Sequence, residues 1–226
     1  MRIAVVIPAH NEESSLPLVL DAIPAGLVEE VVVVDNASTD RTADAARSRG
    51  ATILFEPRRG YGAACLRGMR HLEMKRPEVV VFLDADYSDH PDEMPRLLDP
   101  IARDDADLVI GSRVLGTREP GALLLQARLG NWLAARLMRL LYGGRVTDLG
   151  PFRAVRFESL RGLGMADRDF GWTAEMQVKA LKRGLRVCEV PVSYRRRVGT
   201  SKITGTLSGS LKAGAKILWT IGRNAV

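Results

Sequence analysis

Short apolar runs rich in valine and isoleucine recur through the first half of the chain, separated by stretches whose apolar positions return with helical spacing. The strand-like runs are residues 3–7, 31–34, 52–55, 79–83 and 108–110, and the helical stretches between them are 12–22, 40–49, 61–75 and 93–102. This rhythm is that of βαβ units and predicts an α/β fold, a mostly parallel central sheet flanked by helices. Ser38, Thr39 and Asp40 offer an N-cap to the second helix, and Gly50 a stop. After Gly111 the rhythm breaks: a long helix is expected over 121–142, strands over 152–157 and 186–190, a helix over 173–183 and a terminal helix over 203–221. No internal repeat or low-complexity tract is evident.

The run 79–83 has no polar alternation, so it reads as a strand buried on both faces. Asp84-Ala85-Asp86 then stands at the carboxyl edge of the sheet, where open α/β sheets bind ligands. Two carboxylates spaced in this way suit a hard divalent cation bridging a diphosphate. The same pattern also arises where one aspartate caps the next helix and the other is solvated. Polar residues follow three other strands: Pro8-Ala9-His10-Asn11-Glu12, Asp35 to Asp40, and Gly111-Ser112-Arg113. Each alone fits a turn or cap, but together they suggest one site.

With 226 residues, 46% of them hydrophobic, the chain has enough apolar material for one large domain or two small ones. No stretch of the length a membrane helix needs is free of charge, and the amino terminus opens on a strand, so a cytosolic chain without a secretory signal is expected. Cys65 and Cys188 lie far apart without metal-ligand spacing and read as small core residues. The net charge of +6 fits a phosphorylated substrate or an anionic membrane surface. Aromatic residues make up only 5% of the chain, with no basic-aromatic interleaving, so nucleic acid is not an expected partner. Gly60-Tyr61-Gly62 is a partial dinucleotide signature, yet Cys65 replaces its last glycine and it lies outside the first βα turn.

The strand-end series, with Arg195-Arg196-Arg197-Val198-Gly199-Thr200-Ser201-Lys202, resembles family 2 glycosyltransferases, and among them the dolichyl-phosphate mannose synthase-like, polyprenyl-phosphate branch. The resemblance implies a GT-A fold, Rossmann-like in its nucleotide-binding sheet, a nucleotide-sugar donor, Mg2+ or Mn2+ as cofactor, and inversion at the anomeric carbon. It divides a single domain into a nucleotide-sugar half (1–115), an acceptor half (116–204) and an amphipathic terminal helix (205–226). By this resemblance Pro8, His10 and Glu12 line the nucleotide pocket, and Asp35 contacts the base. Asp84 faces the ribose or the metal, and Asp86 binds the metal. Arg113, Arg197 and Lys202 hold phosphates. His10 stands where relatives often carry tyrosine, and Ser88 where some carry glutamine.

Displacing a nucleoside diphosphate builds negative charge on the leaving group, which a metal and fixed cations stabilise. A lipid-phosphate acceptor arrives ionised and needs no base. A hydroxyl acceptor of a glycan needs a carboxylate within hydrogen-bond reach, and Asp148 and Glu175 are the candidates. On a helical wheel Lys212, Lys216 and Arg223 of the terminal helix fall within about 40°, opposite Leu207, Leu211, Ile217, Leu218 and Ile221. Arg128, Arg136 and Arg139 of the long helix fall within about 80°, with Trp132 in the same arc. Either apolar face can rest on the domain core or on the inner face of the cell membrane; the expected posture is a peripheral one. A non-catalytic nucleotide-sugar binding module is the reading from another class.

Overall fold

The structure, a computed structural model, describes residues 1–199 and 207–224, with side chains of the last segment from residue 212 onward. The strands are β1 (Ile3–Ala9), β2 (Glu30–Asp35), β3 (Thr52–Phe55), β4 (Val79–Phe82), β5 (Leu108–Ser112), β6 (Arg153–Arg156) and β7 (Val187–Pro191). The helices are α1 (Leu16–Asp21), α2 (Thr42–Arg47), α3 (Tyr61–Lys75), α4 (Met94–Ala102), α5 (Leu125–Tyr142), α6 (Phe157–Leu163), α7 (Trp172–Lys182) and α8 (Leu207–Arg223). One seven-stranded sheet runs in the order β3-β2-β1-β4-β6-β5-β7. Strand β6 is antiparallel to both its neighbours, and every other pairing is parallel. Strand β6 of the carboxyl-terminal half is thus wedged between two strands of the amino-terminal half.

Local chemistry accounts for the departures from the expected boundaries. Helix α1 starts at Leu16 because the Glu12 carbonyl accepts both Ser15 N–H and Leu16 N–H, closing a turn before the helix. Helix α2 starts at Thr42, whose N–H is taken by the Asp40 carboxylate at 3.0 Å. The expected strand over 152–157 ends at Arg156, and Phe157 opens the unforeseen α6.

Alternate side chains of the buried strands fill two cores, as a period of two requires. Ile3, Val5, Ile7, Val79 and Val81 pack on one side with Leu16 and Val19 of α1 and Met94, Leu97 and Ile101 of α4. Ala4, Val6, Val32, Val34, Val80 and Phe82 pack on the other with Ala64, Cys65 and Leu72 of α3, Leu160 of α6 and Trp172 of α7. A third cluster joins Ala134, Ala135 and Met138 of α5 to Val178 of α7 and Ile221 of α8. Ile217 and Leu218 pack against it as well, so the described part of the apolar side of α8 is committed to the protein. Leu207 and Leu211 lie outside the described side chains.

Helix α3 lies so close to the sheet that a Cβ on Gly68 would come within 2.6 Å of Val6 Cγ1. Alanine in a helix is favoured over glycine by about 1 kcal/mol, but Val6 is β-branched and fully buried, so it has no rotamer to retreat into. Gly68→Ala is therefore expected to destabilise the protein by about 1–2 kcal/mol, read as a lower denaturation midpoint with unchanged m-value.

Candidate active site

The carboxyl ends of β1, β2 and β4 open into a cavity of about 540 Å³, walled by Pro8, His10 and Glu12, by Asn36, and by Asp84 and Asp86. The β3–α3 loop adds Arg59, Gly60 and Tyr61, the segment before α7 adds Asp169 and Phe170, and Arg197 closes one side. Past these strand ends the chain turns through non-glycine residues with left-handed backbone: Asn11 (φ 54), Ala37 (φ 57) and Tyr87 (φ 63). Such conformations cost about 1 kcal/mol or more each and cluster where a site requires them.

Asp84 is half-buried and Asp86 buried. Asp86 Oδ1 accepts Ser88 N–H at 2.9 Å and Ser88 Oγ–H at 2.5 Å, while its Oδ2 lies 3.2 Å from Arg197 Nη1. The other nitrogen of the fork, Arg197 Nη2, lies 3.2 Å from Glu12 Oε1, so one guanidinium bridges two walls. Burial first, and then the charge of Asp86, raises the Asp84 pKa to about 7, although Arg113 and Arg197 pull it down. Asp89 is buried with neither oxygen partnered, and burial followed by Asp84 and Asp86 pushes its pKa well up. Asp84 and Asp86 are hard oxygen donors of the kind that suits Mg2+ or Mn2+. Among the described residues no three His, Cys, Asp or Glu side chains are arranged to hold a metal ion, so a cation at this pair would draw its remaining oxygens from ligand and water.

The β2 end is built around Asn36. Its side chain donates to the carbonyls of Glu56 and Arg58 and accepts Gly60 N–H at 2.8 Å, and its carbonyl lies 2.9 Å from His10 Nδ1. A carbonyl can only accept, so His10 carries its proton on Nδ1. Asp35, the residue expected to meet the base, uses Oδ1 to accept Ser38 N–H at 2.9 Å and does not line the cavity. Its neighbour Asn36 lines the cavity.

The remaining expected residues divide in two. Pro8, His10, Glu12, Asp84, Asp86 and Arg197 come together at the cavity; Arg113, Asp148 and Glu175 stand outside it. Arg113 forms a two-pronged pair with Asp148, at 2.8 Å and 2.7 Å, and lies over the Tyr194 ring. Burial alone would raise the Asp148 pKa, but the charge and hydrogen bonds of Arg113 outweigh it and hold the carboxyl low. Glu175 is buried, paired with Lys179 at 2.7 Å, and accepts the N–H groups of Ala166 and Asp167. Beneath the site Arg153 is fully buried, giving its protons to the carbonyls of Thr173, Leu149 and Gly150, and burial lowers its pKa to about 10. Lys202 lies outside the described residues. A wider depression of about 770 Å³ between α3 and α6 lies away from the strand ends, and its Arg161 is paired with Glu158.

Comparison with known proteins agrees with this geometry. The model of the family described as Glycosyl transferase family 2 matches residues 4–164. An uncharacterized glycosyltransferase of Mycobacterium tuberculosis is 42% identical over 93% of this chain and 94% of its own length. The undecaprenyl-phosphate mannosyltransferase of Micrococcus luteus is 34% identical over 92% of this chain and 90% of its own. Among solved structures, glucosyl-3-phosphoglycerate synthase of Mycobacterium tuberculosis, in complex with Mn2+, UDP and glucosyl-3-phosphoglycerate, superposes with a TM-score of 0.76 at 26% identity, covering 99% of this chain and 80% of that one.

The raised Asp84 pKa sets a pH dependence. Below about 7 the carboxyl holds a proton that a cation must displace, so Mn2+ affinity in calorimetric titrations is expected to climb with pH, by up to about tenfold per unit, and to level off above neutrality. Asp84→Asn removes both the slope and most of the affinity. Because the folded pKa lies above the ordinary aspartate value of 3.8, this group's contribution to stability is full below that value and is lost as pH rises towards 7.

Proposed function

We propose that this chain, a glycosyltransferase of GT-A fold that belongs to glycosyl transferase family 2, moves a hexose from a nucleoside-diphosphate donor to a polyprenyl phosphate at the inner membrane face. The donor lies in the cavity at the ends of β1, β2 and β4, with Asp84 and Asp86 holding Mg2+ or Mn2+ against the diphosphate. The cation supplies charge neutralisation of the departing phosphates. Arg197, already poised between Glu12 and Asp86, adds a second fixed positive charge on the leaving-group side. Pro8 and His10, with Asn36 in the place expected of Asp35, orient the nucleoside. Asp148 and Glu175 are each occupied by a cation outside the cavity, which fits an acceptor that arrives ionised. In this reading Arg113 and Asp148 position the acceptor wall, and Lys202 belongs to the phosphate-binding segment begun by Arg197.

The observation that carries the lipid acceptor is the outer face of α5. Leu125, Leu129, Trp132, Leu133 and Leu140 are all exposed, while Ala134 and Met138 on the opposite side are buried. Arg128 and Arg139 border that stripe, Arg136 lies within it and over the Trp132 ring, and no acidic residue occurs between 120 and 147. Trp219 of α8 is likewise exposed, with Lys216 and Arg223 against its ring. No described helix is long and apolar enough to cross a membrane. A leucine-tryptophan stripe edged by arginines suits the headgroup boundary, where each basic residue adds about 1 kcal/mol of attraction to anionic lipid. The Micrococcus relative is named for a polyprenyl-phosphate acceptor. The mycobacterial synthase structure is a complex with glucosyl-3-phosphoglycerate, and that makes a small hydroxyl acceptor the rival reading.

A panel of nucleotide sugars with Mg2+ or Mn2+ tests this, scored by nucleoside diphosphate release with and without polyprenyl phosphate. Release that depends on the lipid is expected, falling about a hundredfold or more in Asp86→Asn; release only with a hydroxyl acceptor would overturn the assignment. Leu129→Glu combined with Trp132→Glu is expected to abolish flotation with anionic vesicles while leaving donor affinity unchanged. Flotation equal to that of the unaltered chain would sink the membrane posture.

A further inference from the structure

The segment between α6 and α7 is held far more firmly than an exposed loop needs to be. At its start, Ala166 N–H and Asp167 N–H are bound by Glu175, and Asp167 Oδ2 is paired at 3.0 Å with Lys216 of α8. Further along, the Arg168 carbonyl accepts Ala63 N–H at 2.9 Å. Gly60 and Gly62 have no room for a side chain here, since a Cβ would fall 2.1 Å from the Arg168 carbonyl oxygen and 2.2 Å from that of Asp167. Asp169 N–H is in turn fixed by Asp167 Oδ1 at 2.8 Å. Three separate elements thus clamp four residues, and what the clamp presents to the cavity is the pair Asp169 and Phe170.

Asp169 differs from the other carboxylates of the cavity. Glu12 and Asp86 share Arg197, and Asp84 lies within the field of Arg113 and Arg197. Asp169 is exposed, and its carboxylate has no hydrogen bond or ion pair among the described residues, even with Arg59 on the same wall. A bare carboxylate in a cavity that receives two phosphates repels them unless hydrogen-bond donors are presented to it. A sugar ring offers such groups in adjacent pairs, and the two oxygens of a carboxylate can accept from both.

Building on the donor reading above, we propose that Asp169 recognises hydroxyls of the transferred hexose, and that Asp167, tied to Lys216 of the terminal helix, is the positioning residue that aims it. Charge-assisted bonds of this kind discriminate strongly between a ligand that fills them and one that does not. The nucleotide part of the donor makes no use of them.

The test compares, by calorimetry with Mn2+, the affinities of UDP and GDP with those of their glucose and mannose conjugates. For the preferred donor, Asp169→Ala and Asp169→Asn are expected to weaken nucleotide-hexose binding about 10- to 100-fold while leaving the free diphosphate unchanged. Lys216→Met should move the same ratio in the same direction, less steeply. An unchanged ratio in the Asp169 variants, even with slower turnover, would overturn the inference, because a proton-taking role alone leaves ground-state affinity intact. Equal weakening of diphosphate and conjugate would overturn it too. If the unaltered protein binds no nucleoside diphosphate at all, the donor reading itself fails first.

Discussion

Two carboxylates at the end of an apolar strand repel one another, and much of the surrounding structure answers that repulsion. Strand β4 is buried along its whole length, so Asp84 and Asp86 cannot retreat from the low-dielectric floor it provides. Arg197 reaches in from the carboxyl-terminal segment, Arg113 contributes through space, and the same burial and charges push the Asp89 pKa up. In the proposed reading the arrangement is short of positive charge for an anionic donor, and a divalent cation makes up the difference. Fixed charges arranged in advance are the form of catalysis that such a site can offer, because nothing has to reorganise as the leaving group departs.

The carboxyl-terminal segments make this site conditional on the rest of the chain. Val198 N–H and Arg195 N–H bind the carbonyls of Asp86 and Ser88, so residues 195–198 lie along the turn that carries the acid pair. Arg195 also covers the Tyr87 ring at 3.7 Å. Upstream, Glu119 N–H binds the Tyr194 carbonyl and Arg196 binds Glu119 and Pro120, close to the start of α5. The turn of the acid pair, the arginine segment and the approach to the long helix therefore form one continuous hydrogen-bonded strip.

The sequence disclosed the parallel half of the sheet because doubly buried strands have a composition of their own, and it located the acid pair because that pair follows the most apolar of them. It could not disclose the direction of β6, since hydrophobic periodicity has no sense of direction. That Asn36 rather than Asp35 lines the cavity has a related cause: one residue beyond a strand end moves a side chain to the other face. Asp148 and Glu175 were recognisable as functional types, yet their partners Arg113 and Lys179 are matters of packing. For Asp169 the available signal was the paired glycines at 60 and 62, which resemble part of a dinucleotide signature but admit the backbone of residues 167 and 168. Lys216 fell on the basic side of the helical wheel, but a wheel cannot see Asp167 across the gap.

The reversed strand has a consequence for how the protein is made. Strands β4 and β5 leave the ribosome with edges that pair not with each other but with β6, which is synthesised only after α5. Until Arg156 has emerged, both edges stand open, and unpaired edges of this apolar composition are templates for association with neighbouring nascent chains. A product that stops within α5 is thus an aggregation hazard rather than a smaller working unit, and the protein depends on completing its synthesis before its centre can close.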